Sequence, residues 1–129
     1  MSRTATLFVA LIRTHHITNR KKLQRVKKAA EQYAVPFVLI RSGGSPGIKY
    51  AEGPDEGSVA DWISAVQGLR YKDFQCPQKP SSHPVKVDEG MRNSGFKEVT
   101  SVTEFGETMS RKGLTTWWKI GMGYGASDR

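Results

Sequence analysis

The sequence predicts an α+β domain, and three observations lead to this fold class. Short runs of strand-forming residues alternate with stretches whose apolar residues recur at spacings of three and four, as on one face of a helix. The chain has 129 residues, enough for one compact core. Its 37% of hydrophobic and 25% of charged residues are typical of a globular protein and exclude a wholly disordered chain.

The first 41 residues predict a strand, a helix and a second strand. Strand-forming residues fill positions 6–13. Thr18 or Asn19 stands where the cap of a helix is expected. The apolar stripe of that helix is Leu23, Val26, Ala30 and Tyr33. Pro36 then precedes a second strand over residues 37–41.

A hairpin and a second helix are predicted next. Residues 42–47 are rich in glycine, but they lack the spacing of a phosphate-binding loop and no helix follows directly. We therefore interpret them as a turn leading to a third strand, residues 48–52. Ser58 with Asp61 three residues later is typical of a capping box. The second apolar stripe is Val59, Trp62, Ile63, Val66 and Leu69.

With a fourth strand over residues 71–76, the order becomes β-α-β-β-α-β, which is the ferredoxin-like plan. Its crossovers are right-handed, so both helices should lie on one face of the sheet. We predict that residues 1–76 are this core. Residues 77–95 should be a linker, because they contain three prolines (Pro77, Pro80 and Pro84) and few apolar residues.

The remaining residues, 96–129, are predicted to pack on or beside the sheet as a C-terminal extension. We expect a weak strand over residues 96–102, a short helix over 102–112 and flexible residues from Gly121 onward. The first two strands are apolar at nearly every position, which indicates that both faces of the sheet are covered. Trp117 or Trp118 is therefore expected to cover the face opposite the two helices.

Composition excludes several classes of protein. The single cysteine, Cys76, excludes an intramolecular disulfide and a multi-cysteine zinc or iron–sulfur site. The longest predominantly apolar stretch, residues 5–12, is far shorter than the roughly 20 residues that span a bilayer. No targeting pattern fits the first residues. We expect a nuclear or cytoplasmic protein with no membrane contact, no cofactor and no metal. His15 and His16 are adjacent on an extended segment, so they should point apart rather than share an ion.

The charge is distributed unevenly. Residues 1–50 carry ten basic residues and one acid, a net of +9, whereas residues 51–129 carry ten basic and eleven acidic residues, a net of −1. Such asymmetry is typical of proteins with a polyanionic partner, although a solvated helix face is the plainer interpretation. The candidate contacts to phosphate are His15, His16, Asn19, Arg20, Lys21, Lys22, Arg25, Lys28 and Arg41.

One combination of motifs resembles a known family. The sequence HHI-x-N precedes the basic helix from His15, SPGI at Ser45 leads to Glu52-Gly53, and LRYKDF begins at Leu69. Over about residues 6–76 these motifs resemble the C-terminal domain of the U4/U6 small nuclear ribonucleoprotein splicing factor Prp-three, also found in RWD-domain-containing protein two. The resemblance implies a ferredoxin-like fold and binding to RNA where a duplex adjoins a single strand. His15, His16 and the basic residues after Asn19 match its motif region.

These observations favour a non-catalytic RNA-binding domain that contacts phosphates through its first helix, at a duplex/single-strand junction in a ribonucleoprotein. The alternative is a protein-interaction module that uses the basic helix for an acidic partner, or Trp117 and Trp118 as an anchor. We expect no enzyme, because no nucleophile motif is present and Cys76 has no activating partner in the sequence. A pocket joining His15 or His16 to an acid would favour an enzyme. The oligomeric state stays open.

Overall fold

The computed structural model describes residues 2–88 and 95–124 of the chain. Within these ranges there are five strands and four helices. The strands are β1 (Ser2–Thr14), β2 (Phe37–Arg41), β3 (Gly47–Gly53), β4 (Gln75–Asp88) and β5 (Gly95–Val99). The helices are α1 (Arg20–Gln32), α2 (Glu56–Gln67), α3 (Val102–Arg111) and α4 (Thr115–Met122).

The strands form one mixed sheet in the order β4-β1-β3-β2-β5. The pairs β1–β3, β2–β3 and β1–β4 are antiparallel, whereas β5 runs parallel to β2. The elements from β1 to β4 have the β-α-β-β-α-β order, which confirms the predicted ferredoxin-like fold. β5 adds an edge strand from the C-terminal extension.

Helices α1 and α2 lie on the same face of the sheet, as predicted. Val26 of α1 and Trp62 of α2 are fully buried in one cluster with Ile12 of β1 and Ile40 of β2. The indole Nε1 of Trp62 donates a hydrogen bond to the carbonyl of Val26 at 3.3 Å. This bond joins the two helices directly.

Helices α3 and α4 cover the opposite face. Trp117 and Trp118 are only 8% and 6% exposed, and they pack in a second cluster with Phe105 of α3 and Tyr50 of β3. The expectation that a tryptophan covers this face is therefore confirmed, and both indoles contribute to it. The alternation of β3 assigns Tyr50 to this cluster and the next residue, Ala51, to the cluster under α1 and α2.

The predicted linker is wrong for residues 77–88, which form most of β4 and pair with β1. β4 is an edge strand, where the missing N–H of a proline need not cost a ladder hydrogen bond. The register with β1 shifts at two places, and Pro77 and Pro80 fall within the shifted steps. Residues 89–94 of the predicted linker lie outside the described residues.

The ends of several elements also differ from the predictions. The cap of α2 is Asp55, whose Oδ2 accepts a hydrogen bond from the Ser58 amide at 2.8 Å, so Ser58 is the third residue of the helix and not its cap. β4 begins at Gln75, not at residue 71. Gly121 belongs to α4 and is buried, so the predicted flexibility is wrong there. The predicted flexibility of residues 125–129 lies outside the described part of the chain.

Candidate nucleic-acid interface

Helix α1 carries most of the predicted contact residues, and its first turn is fixed by Asn19. The Asn19 side chain accepts a hydrogen bond from the Lys22 amide at 3.0 Å, which makes it the cap of the helix. It was one of the two caps predicted from the sequence. The buried stripe consists of Leu23, Val26, Ala29 and Ala30. Because a helix turns by 100° per residue, the opposite face of α1 points to solvent.

Three cations occupy the centre of this solvent face. Lys21, Arg25 and Lys28 are exposed, and none of them forms a hydrogen bond or ion pair with any described residue. Their spacings of four and three residues place them on one side of the helix. We call these three residues the outward stripe. Lys27 is also exposed, on the flank of the same face.

Arg20 has a structural partner instead. Its Nη1 and Nη2 donate to the two carboxylate oxygens of Glu98 at 2.8 and 3.0 Å, which ties the start of α1 to β5. The hydrogen bond to Glu98 and its charge raise the pKa of Arg20. The hydrogen bond from Arg20 is the main cause of the lowered pKa of Glu98. The Ser42 hydroxyl also donates a hydrogen bond to this carboxylate. Arg20 is therefore engaged within the fold.

Lys22 is engaged on the other flank of the helix. Its Nζ donates to the carbonyl of Arg70 at 3.2 Å and lies 5.2 Å from the ring centroid of Tyr71. Lys22 thus fixes α1 to the segment between α2 and β4. A substitution of Lys22 would test this packing as well as any contact to RNA.

Arg41 also has a role inside the molecule. Its Nε donates to the carbonyl of Thr100 at 2.8 Å, and its Nη1 donates to those of Gly44 and Pro46 at 2.7 and 3.0 Å. The guanidinium therefore holds the β2–β3 turn against the segment after β5. Because its donors are used within the fold, Arg41 is not counted among the predicted contact residues that face solvent.

The two histidines lie between β1 and α1, next to the segment before β4. His15 Nδ1 is 3.8 Å from Oδ2 of Asp73. The ring centroids of His15 and His16 are 4.6 Å apart, so the prediction that the two side chains point apart is wrong. His15 also lines a pocket of about 260 Å³ that includes Arg13 and Thr14. His16 is exposed. Within the described ranges, no group of three or more His, Cys, Asp or Glu side chains is placed to hold a metal ion.

A buried cation under α1 and α2 was missed in the sequence analysis. Lys49 of β3 is 0% exposed, and its Nζ lies 3.6 Å from the ring centroid of Tyr71 with no hydrogen-bond partner among the described residues. Desolvation lowers its pKa to about 7, with a further contribution from the charge of Lys22. The alternation of β3 offered a hint, because Lys49 shares a face with Ala51.

No family model and no curated protein matches this chain. Among solved structures, the chain is similar to acylphosphatase from Bacillus subtilis. The identity is 18%, the match covers 72% of this chain and 98% of that one, and the TM-score is 0.43. In the part of the chain that the structure describes, no helix is long and apolar enough to cross a bilayer.

Proposed function

We propose that this protein binds RNA through the outward stripe of α1, which contacts phosphate groups without reading bases. The observation that carries the proposal is that Lys21, Arg25 and Lys28 are exposed on one helix face with no partner among the described residues. Unpaired cations of this kind can release the counterions of a nucleic acid, which supplies most of the affinity in sequence-independent binding.

The geometry of the stripe suits a phosphate backbone. From Lys21 to Lys28 the helix rises by about 10 Å, at 1.5 Å per residue. Phosphates of one strand of a DNA duplex lie about 3.4 Å apart along its axis, and on this scale the stripe spans a few phosphates. Both sheet faces are covered by helices, so bases have no open sheet on which to stack. Recognition of shape, such as a duplex next to a single strand, is the mode that this surface favours.

The predicted role in a ribonucleoprotein rests on the family resemblance of the HHI-x-N region. The alternative of a protein-interaction module anchored by Trp117 and Trp118 lacks an exposed anchor, because both side chains are buried. An acidic protein would have to use the same stripe as RNA. Because salt weakens both kinds of binding, the preference of the stripe for RNA over an acidic protein is what separates these two partners.

The proposal is tested by fluorescence anisotropy with an RNA hairpin that carries a single-stranded overhang, titrated at several salt concentrations. In the triple variant Lys21→Glu/Arg25→Glu/Lys28→Glu we expect a loss of affinity of at least about tenfold at low salt. The slope of log affinity against log salt should become shallower by about 2, since each phosphate contact on a single strand contributes about 0.7.

A matched control removes the same charge elsewhere. Lys79→Glu/Lys97→Glu/Lys119→Glu changes three exposed lysines outside α1 and lowers the net charge equally. This control should retain most of the affinity. An equal loss in both triple variants would mean that net charge alone drives binding, and unchanged affinity in the stripe variant would refute the proposal outright.

A further inference from the structure

A short segment between α2 and β4, residues 70–73, lies over the buried amine of Lys49. Tyr71 of this segment is 7% exposed, and its ring centroid is 3.6 Å from Nζ of Lys49. Because Lys49 itself is 0% exposed, the tyrosine ring is part of the cover that keeps water from the amine. We call residues 70–73 the Tyr71 segment. The proposed function makes no use of it.

The backbone of the Tyr71 segment is strained at both of its ends. Arg70 and Asp73 have φ angles of +62° and +57°, in the left-handed region that favours glycine. Aspartate adopts this conformation more readily than arginine, so Arg70 carries the larger cost. Such conformations persist only where surrounding contacts hold them. The segment therefore depends on its contacts to stay in place.

Two hydrogen bonds and one buried ring hold the Tyr71 segment against its neighbours. The His15 amide, just after β1, donates to the carbonyl of Lys72 at 2.9 Å. Nζ of Lys22 in α1 donates to the carbonyl of Arg70 at 3.2 Å. The third contact is the burial of the tyrosine ring over Lys49. A non-helical segment with so few contacts is of the kind that opens locally, while the sheet stays folded.

The amine under the segment faces apolar groups on most sides. The register partners of Lys49 are Ile12 of β1 and Ile40 of β2, and the buried residues of α2 are apolar. The titratable groups that face Lys49 are Tyr71 and, from α1, Lys22. Burial and, as the smaller cause, the charge of Lys22 lower the pKa of Lys49 to about 7. Among the described residues no acid pairs with this amine.

Protonation of Lys49 favours a state in which water reaches the amine. Beneath the closed segment, the ammonium has only the Tyr71 ring among the described residues, and the ring offsets a part of the lost hydration. When the ring moves away, the pKa of the hydrated amine returns toward its ordinary value of about 10.4. Between these two pKa values the open form binds more protons, so its population must rise as the pH falls. Below pH 7 both forms are protonated, and the rise levels off.

We infer that the Tyr71 segment is a pH-sensitive switch that opens over the protonated Lys49 and closes over the neutral amine. Arg70 and Asp73 are its hinges, because their backbone strain is released when the segment leaves its contacts. Opening breaks the bond from Lys22 to the Arg70 carbonyl and frees that ammonium in the first turn of α1. This inference goes beyond the proposed function and does not depend on RNA.

Hydrogen exchange of the protein alone, measured by NMR at pH 6, 7 and 8, tests the switch. The His15 amide reports opening, because its acceptor is the Lys72 carbonyl in the segment. The amides of β2, which lies between β3 and β5, report global unfolding. After correction for the intrinsic exchange rate, the opening constant at His15 should exceed that of β2. It should rise about fivefold from pH 8 to pH 7 and about twofold from pH 7 to pH 6.

Two variants assign the pH dependence to Lys49. Lys49→Met removes the amine and keeps the contact between His15 and Asp73, so the opening constant should become independent of pH and fall at least about tenfold at pH 6. Lys22→Met is the matched control, because it removes the neighbouring amine and leaves Lys49 in place. It should raise the opening constant at every pH, since the bond to the segment is lost, and keep most of the pH dependence.

Three results would overturn the inference. If the His15 amide exchanges only as slowly as the amides of β2, the segment opens only when the whole fold does. If the opening constant is the same at pH 8 and pH 6, opening is not linked to a proton. If the dependence on pH survives Lys49→Met, it belongs to another group, such as the pair of His15 and Asp73. Each of these results leaves the proposed function untouched, because RNA binding by the outward stripe is measured separately.

Discussion

Among the described residues, two lysines are fully or almost fully buried, one on each face of the sheet, and their surroundings are opposite. Lys112, just after α3, places its Nζ 3.0 Å from Oε1 of Glu52. The same carboxylate accepts a hydrogen bond from the Tyr50 hydroxyl at 2.5 Å. Lys49, under α1 and α2, has no hydrogen-bond partner in the described ranges and lies over the ring of Tyr71.

The difference shows two ways of accommodating a buried amine. Glu52 compensates the charge of Lys112, so the pair fixes the end of α3 to β3 in a defined position. Burial raises the pKa of Tyr50, and the charge of Glu52 and the hydrogen bond to it raise the pKa further, so the phenol remains a donor. Among the residues that the structure describes, Lys49 faces only the aromatic ring of Tyr71, which offsets a part of its desolvation. Its lowered pKa of about 7 follows mainly from this burial.

The largest expected effect comes from breaking the compensated pair. Glu52→Gln removes the carboxylate that faces the buried Lys112 ammonium, and we expect the free energy of unfolding to fall by about 3–5 kcal/mol. The double variant Glu52→Gln/Lys112→Met removes both charges and should recover part of this loss. Urea denaturation measures the free energy of unfolding of both variants. A single variant as stable as the unchanged protein would show that the ion pair contributes nothing to the fold.

The second-largest expected effect is a dependence of the free energy of unfolding on pH, caused by Lys49. Its pKa is about 7 in the folded protein and about 10.4 in the unfolded chain. Between these values the unfolded state binds more protons, so the free energy of unfolding should rise with pH. From pH 7 to pH 9 the rise should be roughly 2–3 kcal/mol, at most 1.4 kcal/mol per unit for one proton.

Replacement of the amine isolates this contribution. Lys49→Met should raise stability at pH 7 and flatten its dependence on pH, measured by urea denaturation at pH 7, 8 and 9. Lys22→Met is the control for the neighbouring charge, because it leaves the buried amine in place and should keep most of the slope. An unchanged slope in Lys49→Met would contradict the assignment.

The smallest effect concerns packing on the face covered by α3 and α4. A Cβ added at Gly106 would lie 2.8 Å from the ring of Trp118, so Gly106→Ala should cost about 1–2 kcal/mol of stability through overpacking. At Gly68, which caps α2, an added Cβ meets only carbonyl oxygens at 3.4 Å or more. Gly68→Ala should therefore be nearly neutral. Thermal denaturation compares the two, and equal Tm values would show that Trp118 is not tightly packed.

Local patterns predicted much of the fold. The bounds of β2 agree with the sequence analysis, and α1 begins directly after a predicted cap, because alternation and capping depend on neighbouring residues. Most of β4 was predicted as a linker because its prolines are compatible with a strand only at a sheet edge, and the sequence does not state which strand is at the edge.

The residues of the candidate site were also predicted only in part. Lys21, Arg25 and Lys28 were selected from the sequence and do face solvent. Arg20 and Arg41 were selected on the same grounds, yet each bonds to the segment around β5, 78 and 59 positions away. No local pattern reveals such partners, since they are brought together by chain topology alone.

The sequence by itself determined the α+β class, the basic helix and the need to cover both faces of the sheet, because each follows from composition and short-range periodicity. Tertiary structure decided which cations of α1 remain available and which lysine, among the described residues, is buried without a counter-charge. These properties depend on desolvation and on distances between residues far apart in the chain. Only the packed fold sets both quantities.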